Sequence, residues 1–228
     1  MLVRRAWLLE FVAAVAIAVA SLGRPALAHP HVFVVATATV NIEHDAITSI
    51  AHTWAFDEFY TAMALEGIAK NKDGGYGRAE LAELAKVNVD GLKEFGYFTF
   101  ATLGKTEVKV GEPKEGDYWL DYTGGALSLH FTVPLEKPVP ISAKEFSKGF
   151  SVVITDPSYF IAFELSDKDP PKLNADAPKT CKVAVDVPKE ETASADEKRL
   201  TGAFAQQMVP APTGMGGVAK AIQVSCGG

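Results

Sequence analysis

Two histidines, His29 and His31, flank Pro30 directly after the small-residue stretch Ala26-Leu27-Ala28. If the chain is cut before His29, that residue offers both a free α-amino group and an imidazole, and His31 falls on the same side of an extended strand. Three nitrogens then converge. Amine and imidazole suit zinc, copper or nickel far better than calcium or magnesium. Pro30 has no amide hydrogen, so a square-planar copper or nickel motif built from deprotonated backbone amides is blocked at its nearest amide. Binding falls to side chains.

The partners of this pair depend on how the next two strands register. A turn over 43–46 pairs Ile42 with Ile47, Val35 with Trp54 and His31 with Glu58, and sets Asp57 beside Val32. Asp57 and Glu58 are therefore candidates for a carboxylate ligand or for the group that orients one. The same register puts His52 opposite Thr37, six residues from His31. That is about 20 Å away, so His52 reads as a sheet histidine outside the site. His44 falls in the turn. Leu127, Leu129, Phe131 and Val133 mark one face of a strand, which leaves His130 on the other with Ser128 and Thr132. His130 is the remote candidate for a further imidazole ligand. Asp156-Pro157-Ser158-Tyr159 reads as a tight turn in which Asp156 bonds local amides.

Residues 71–80 resemble a calcium-binding EF-hand loop, with Asn71 and Asp73 at its third and fifth places, Gly74 at the sixth and Glu80 at the twelfth. Ala69 stands where the first carboxylate belongs, and Lys70, Lys72 and Arg78 lie close by, so calcium is not expected. No Gly-x-Ser-x-Gly elbow, P-loop or His-Glu-x-x-His is present. Nothing marks a catalytic residue.

Residues 1–28 read as a secretory signal: Arg4 and Arg5 precede an apolar run from Leu8 to Leu22, and Ala26 to Ala28 supply a cleavage site after Ala28. The run is too short and too interrupted, at Glu10, to span a bilayer. The expected location is the periplasm. Without the signal, 19 basic and 27 acidic residues remain, which excludes a nucleic-acid binder. Cys181 and Cys226 are the two cysteines, and in an oxidising compartment a disulfide between them is expected. Such a bridge is worth roughly 3 to 4 kcal/mol by loop-entropy models.

The elements that must position these residues follow from hydrophobic period. Strands are expected over 32–40 and 46–56, helices over 59–70 and 78–95, then short strands over 97–103, 107–110, 118–122, 127–133, 151–155 and 159–165. A Pro/Asp/Lys-rich linker over 166–179 leads to a strand at 182–187, a helix near Ala195 to Met208, and a last strand at 221–225 brought beside 182–187 by the cysteines. The class is α+β, mainly antiparallel sheet with an inserted helical pair and a C-terminal helix. Residues 29–187 form the main domain, and 188–228 an extension tied back by the Cys181–Cys226 bridge.

Four blocks resemble a known family: His29-Pro30-His31-Val32-Phe33, Thr53-Trp54-Ala55-Phe56-Asp57-Glu58-Phe59-Tyr60, Leu92-Lys93-Glu94-Phe95-Gly96-Tyr97-Phe98 and Asp156-Pro157-Ser158-Tyr159-Phe160. Over roughly 29–187 the chain is similar to the bacterial domain of unknown function 1007 family, periplasmic components of uncharacterised transport systems. The resemblance implies metal delivery in company with a nickel/cobalt-type or ABC-type inner-membrane permease, and it favours zinc, with nickel, cobalt and copper as alternatives. The expected function is thus a non-enzymatic periplasmic metal-binding accessory protein with ligands His29 and His31, Asp57 or Glu58, and His130 as a fourth. Two other readings remain: a copper redox enzyme using His29 and a distant histidine as a brace, and a solute-binding protein for an organic ligand. The last lacks the repeated strand-helix units of a two-lobed α/β fold.

Overall fold

The computed structural model describes residues 30–142, 144–186 and 219–227. The signal segment with His29, and the helix expected over 195–208, lie outside them.

The chain enters through a long hairpin, β1 (Val32–Glu43) and β2 (Ala46–Phe56). His44 and Asp45 turn it with φ of 49° and 57°, the left-handed pair that a two-residue hairpin turn needs. Both strands alternate buried and open positions, but Ile47 and Ile50, three apart, are both buried. A period of two cannot do that. The chain resolves the conflict with an irregularity: Ile42 pairs with Ile47 while Asn41 pairs with Ser49, so Thr48 is the extra residue of a bulge. Beyond it the expected register is displaced by one, and Val35 faces Ala55 rather than Trp54, and Ala38 rather than Thr37 faces His52. The expected pairing of His31 with Glu58 is not formed, since Glu58 opens a helix.

Two helices follow, α1 (Glu58–Ala64) and α2 (Arg78–Leu92). The first stops six residues short of its expected end at Lys70, and a 3-10 stretch over Lys93–Phe98 succeeds the second. There Gly96 and Tyr97 take φ of 58° and 56°, which reverses the chain and brings Tyr97 and Phe98 into the core. The remaining strands are β3 (Thr99–Leu103), β4 (Thr106–Val108), β5 (Tyr118–Thr123), β6 (Ala126–Pro140), β7 (Phe150–Ile154), β8 (Ile161–Leu165), β9 (Lys172–Leu173), β10 (Cys181–Asp186) and β11 (Ala221–Cys226).

They form two sheets. One has the order β5-β6-β2-β1-β8, with β9 also on β1, and is antiparallel except that β8 and β9 run parallel to β1. The other, β10-β11-β7-β3-β4, is antiparallel throughout. The fold is thus mostly antiparallel sheet with an inserted helical pair, as expected for the α+β class. Cys181 and Cys226 face each other across β10 and β11 and are disulfide-bonded. The expected pairing of the last strand with 182–187 is present.

The core lies between the sheets. Trp54 meets Phe131 edge-on at 4.7 Å and Phe163 at 4.8 Å, and lies 6.5 Å from Phe98 beneath the second sheet. Leu81, Ala85 and Val89 bury one stripe of α2 against the same core, and Tyr60 of α1 donates its hydroxyl to Asn88 of α2 at 2.8 Å.

One core residue titrates. His52 is 2% exposed and stacked on Phe131 at 4.7 Å. Thr99 donates its hydroxyl to the carbonyl of Tyr97, so it accepts from His52 Nε2 at 3.1 Å, which leaves Nδ1 as a lone pair with no partner among the described residues. Burial pushes the imidazole down from 6.5 to about 3. The unfolded chain therefore binds a proton that the folded chain refuses, so the stability is whole above pH 6.5 and is lost as pH falls from 6.5 toward about 3. The slope is about 1.4 kcal/mol per pH unit for this one group. Denaturant midpoints measured along that range should fall with acid in the wild type and fall less in His52→Leu.

Candidate functional site

The corner where β1 begins is held by three elements. The amide of His31 donates to the carbonyl of Phe160 at 2.8 Å, and Val32 donates to the same oxygen at 3.3 Å. Val32 then pairs with Ile161, so β8 guides β1 into the sheet. The turn ahead of β8 is tied by Asp156, which is 4% exposed. Its Oδ1 accepts from the amide and hydroxyl of Ser158, and its Oδ2 from the amide of Ile161. Asp156 is thus the turn residue the sequence suggested, and it places the carbonyl that receives His31.

On the other side stands Asp57. Its amide donates to Phe33 and its Oδ2 accepts from Phe33, at 3.0 and 2.8 Å, while Oδ1 accepts from Tyr60 at 2.8 Å. One carboxylate both caps α1 and extends the β1–β2 ladder. Burial raises its pKa, but the amides of Phe33, Tyr60 and Phe59 together outweigh that, and the net shift is below the ordinary carboxylate value of 3.8.

Strand alternation sends His31, Phe33 and Val35 to the outer face of the first sheet, away from buried Val32 and Val34. Asp57 follows inward-facing Phe56 and so belongs to that outer face too. His31 is exposed, with its ring 4.9 Å from that of Phe160. Glu58 is exposed in the first turn of α1. His31 and the two carboxylates therefore share one corner. His29, two residues upstream of His31, lies outside the described residues, among which no group of three or more potential ligands is clustered.

His130 does not join them. It sits opposite Thr53, which sits opposite Thr37, six residues along β1 from His31. The distance along the sheet is about 20 Å. A single ion held by both His31 and His130 of one chain does not fit this register. His130 has a setting of its own. Nε2 bonds Asp121 Oδ2 at 2.6 Å, Nδ1 meets the Thr53 hydroxyl at 3.1 Å, and Trp119 stacks on the ring at 4.7 Å and 6°. Arg78 lies over the same indole at 4.4 Å. Asp121 and Trp119 went unmarked in the sequence, although β5 and β6 are consecutive strands joined at Gly124-Gly125 and a two-residue hairpin there pairs Trp119 with His130.

The loop before α2 uses its polar side chains internally. Asn71 Oδ1 accepts from Asp73 and Gly75, and Glu80 accepts from the amide of Gly77 at the start of the helix. These are a turn and a cap.

Over residues 13–226 the chain matches the model of a family described as "Protein of unknown function (DUF1007)". It is also 24% identical over 142 residues to an uncharacterized protein of Haemophilus influenzae, a match that covers 62% of this chain and 65% of that relative. Thus the aligned part spans just under two thirds of the relative's length.

Asp57 has a measurable structural share apart from any ligand role. Replacing a side-chain cap with alanine costs about 1 to 2 kcal/mol, and Asp57→Ala also strips the amide of Phe33. A loss at the upper end of that range is expected in chemical denaturation, with Glu58→Ala close to neutral.

Proposed function

Since the chain belongs to the DUF1007 family, we propose that it is an exported, non-enzymatic metal-binding accessory protein whose mature N-terminus holds a transition metal. The observation that carries this reading is the placement of His31: exposed, fixed through its backbone by Phe160, and on the outer face beside Asp57. With His29 two residues upstream, an α-amine, two imidazoles and a carboxylate have the reach to meet at one corner. Asp57 has both oxygens committed to amides, so Glu58, exposed one residue on, is the freer ligand, and Asp57 fixes the corner.

Zinc is the first choice among zinc, nickel, cobalt and copper, on the donor set and on the family resemblance. Export to the periplasm with cleavage after Ala28 is supported by the basic and apolar leader and by the paired cysteines. Among the described residues no helix is long and apolar enough to cross a membrane. An inner-membrane permease of nickel/cobalt or ABC type is the proposed recipient of the metal. The resemblance alone supplies that partner.

Titration of the metal-free processed protein with zinc, nickel and copper tests the site. One equivalent should bind, more weakly as acid protonates the imidazoles. His31→Ala should weaken it about a hundredfold and Asp57→Asn about tenfold. No uptake of any of the three by folded wild type, or binding indifferent to His29→Ala and His31→Ala, would overturn the reading.

A further inference from the structure

The turn between β7 and β8 carries the chain from the second sheet to the first, and its two ends are tied to different elements. At the entry Thr155 donates its amide to the carbonyl of Phe98, just ahead of β3. At the exit the carbonyl of Phe160 accepts from both His31 and Val32, where β1 begins. Asp156 spans the whole of it. Its carbonyl accepts from the amide of Tyr159 at 3.1 Å, and its carboxylate takes three further donors at 2.7 to 2.9 Å.

A turn by itself does not require this. One side-chain oxygen bonded to the amide two residues on closes such a turn, and Asn supplies that oxygen as well as Asp does. Here the second oxygen reaches five residues on, to Ile161, the first residue of β8. A carboxylate offers two acceptor oxygens where an amide offers one. This one is 4% exposed, a setting in which a charge is costly unless its oxygens are bonded.

Between the two oxygens are held Tyr159 and Phe160. Tyr159 has a φ of 58°, in the left-handed region that a residue with a Cβ enters only where its surroundings impose it. That twist sits one residue ahead of Phe160 and so sets the direction of both its carbonyl and its ring. The carbonyl meets the amides of His31 and Val32, and the ring lies 4.9 Å from that of His31, tilted by 38°. Phe160 is 53% exposed, so its ring stands at the corner and not in the core. An exposed imidazole near the start of a strand has rotamer freedom to lose when it takes an ion. A ring packed beside it removes part of that freedom in advance.

We infer that Asp156 and Phe160 are positioning residues for the metal corner, an inference that rests on the metal reading above. Neither is a ligand. Asp156 locks the turn, the turn aims Phe160, and Phe160 holds His31 by backbone and ring, so that the imidazole is presented outward before an ion arrives. The linkage is reciprocal: an ion bound through His31 tightens the turn that presents it.

Titration with zinc, nickel and copper, run on folded variants of the processed protein, tests this together with amide hydrogen exchange. For whichever ion the wild type binds, Asp156→Asn and Phe160→Ala should each raise the Kd about tenfold, and Phe160→Tyr, which keeps the ring, should restore it. In the wild type the ion should slow exchange at Ile161, and in Asp156→Asn it should not. Val224→Ala, in the core of the second sheet, should lower stability and leave the Kd unchanged. If Asp156→Asn does not fold, Phe160→Ala decides, since it keeps the carbonyl that receives His31. Wild-type affinity in Phe160→Ala, or an equal loss in Val224→Ala, overturns this inference while the metal site stands. A wild type that takes up none of the three ions overturns the metal reading and this inference with it.

Discussion

The carboxylate of Asp57 joins the two halves of the candidate site. One oxygen holds the amide of Phe33 and the other that of Tyr60, so the last rung of the hairpin and the first turn of α1 share a single group. Without it β1 would fray at the end where the histidines enter, and α1 would begin with free amides. The same group also fixes the direction of the outer face at that corner. Because Phe33 bonds Asp57, His31 must point outward two residues earlier, beside the carboxylate and not into the core.

The second constraint is the bulge at Thr48. Two isoleucines three residues apart both seek the core, and a regular strand would sacrifice one of them. The extra residue rescues the second, and it changes which side chain lies across from which over the rest of the hairpin. His52 becomes a buried neighbour of Thr99, and Thr53 turns to meet His130. Inner and outer chemistry of the sheet are thus set by one local irregularity. The price is paid in acid, through a histidine that cannot take up its proton without leaving the core.

Strand and helix positions were largely legible from the hydrophobic period, and so was the disulfide, because only two cysteines are present and both are exported under the signal reading. What period two does not carry is phase across an irregularity. Counting outward from the turn at 44–45 gives Ile42 with Ile47 correctly, but Val35 with Trp54 wrongly, since nothing in Thr48-Ser49 announces an extra residue. The end of α1 was missed for a related reason: Met63, Ala64 and Ile68 keep helical spacing, yet the helix stops at Ala64. At the site, His31 and Asp156 were marked by local chemistry, and Asp57 by a hairpin register that the bulge displaces by one residue. The partners of His130 were not: Thr53 is 77 residues away in sequence, and Asp121 and Trp119 required counting the register through the hairpin at Gly124-Gly125.

A metal at the N-terminal corner makes a spatial claim that a paramagnetic ion reads directly. With nickel or cobalt bound, the nuclear magnetic resonance signals of Phe33, Glu58 and Phe160 should broaden or shift, while those of Thr53 and His130, about 20 Å along the sheet, stay sharp. Broadening centred on His130 and Asp121, or none at the corner where His31 enters β1, would contradict the account.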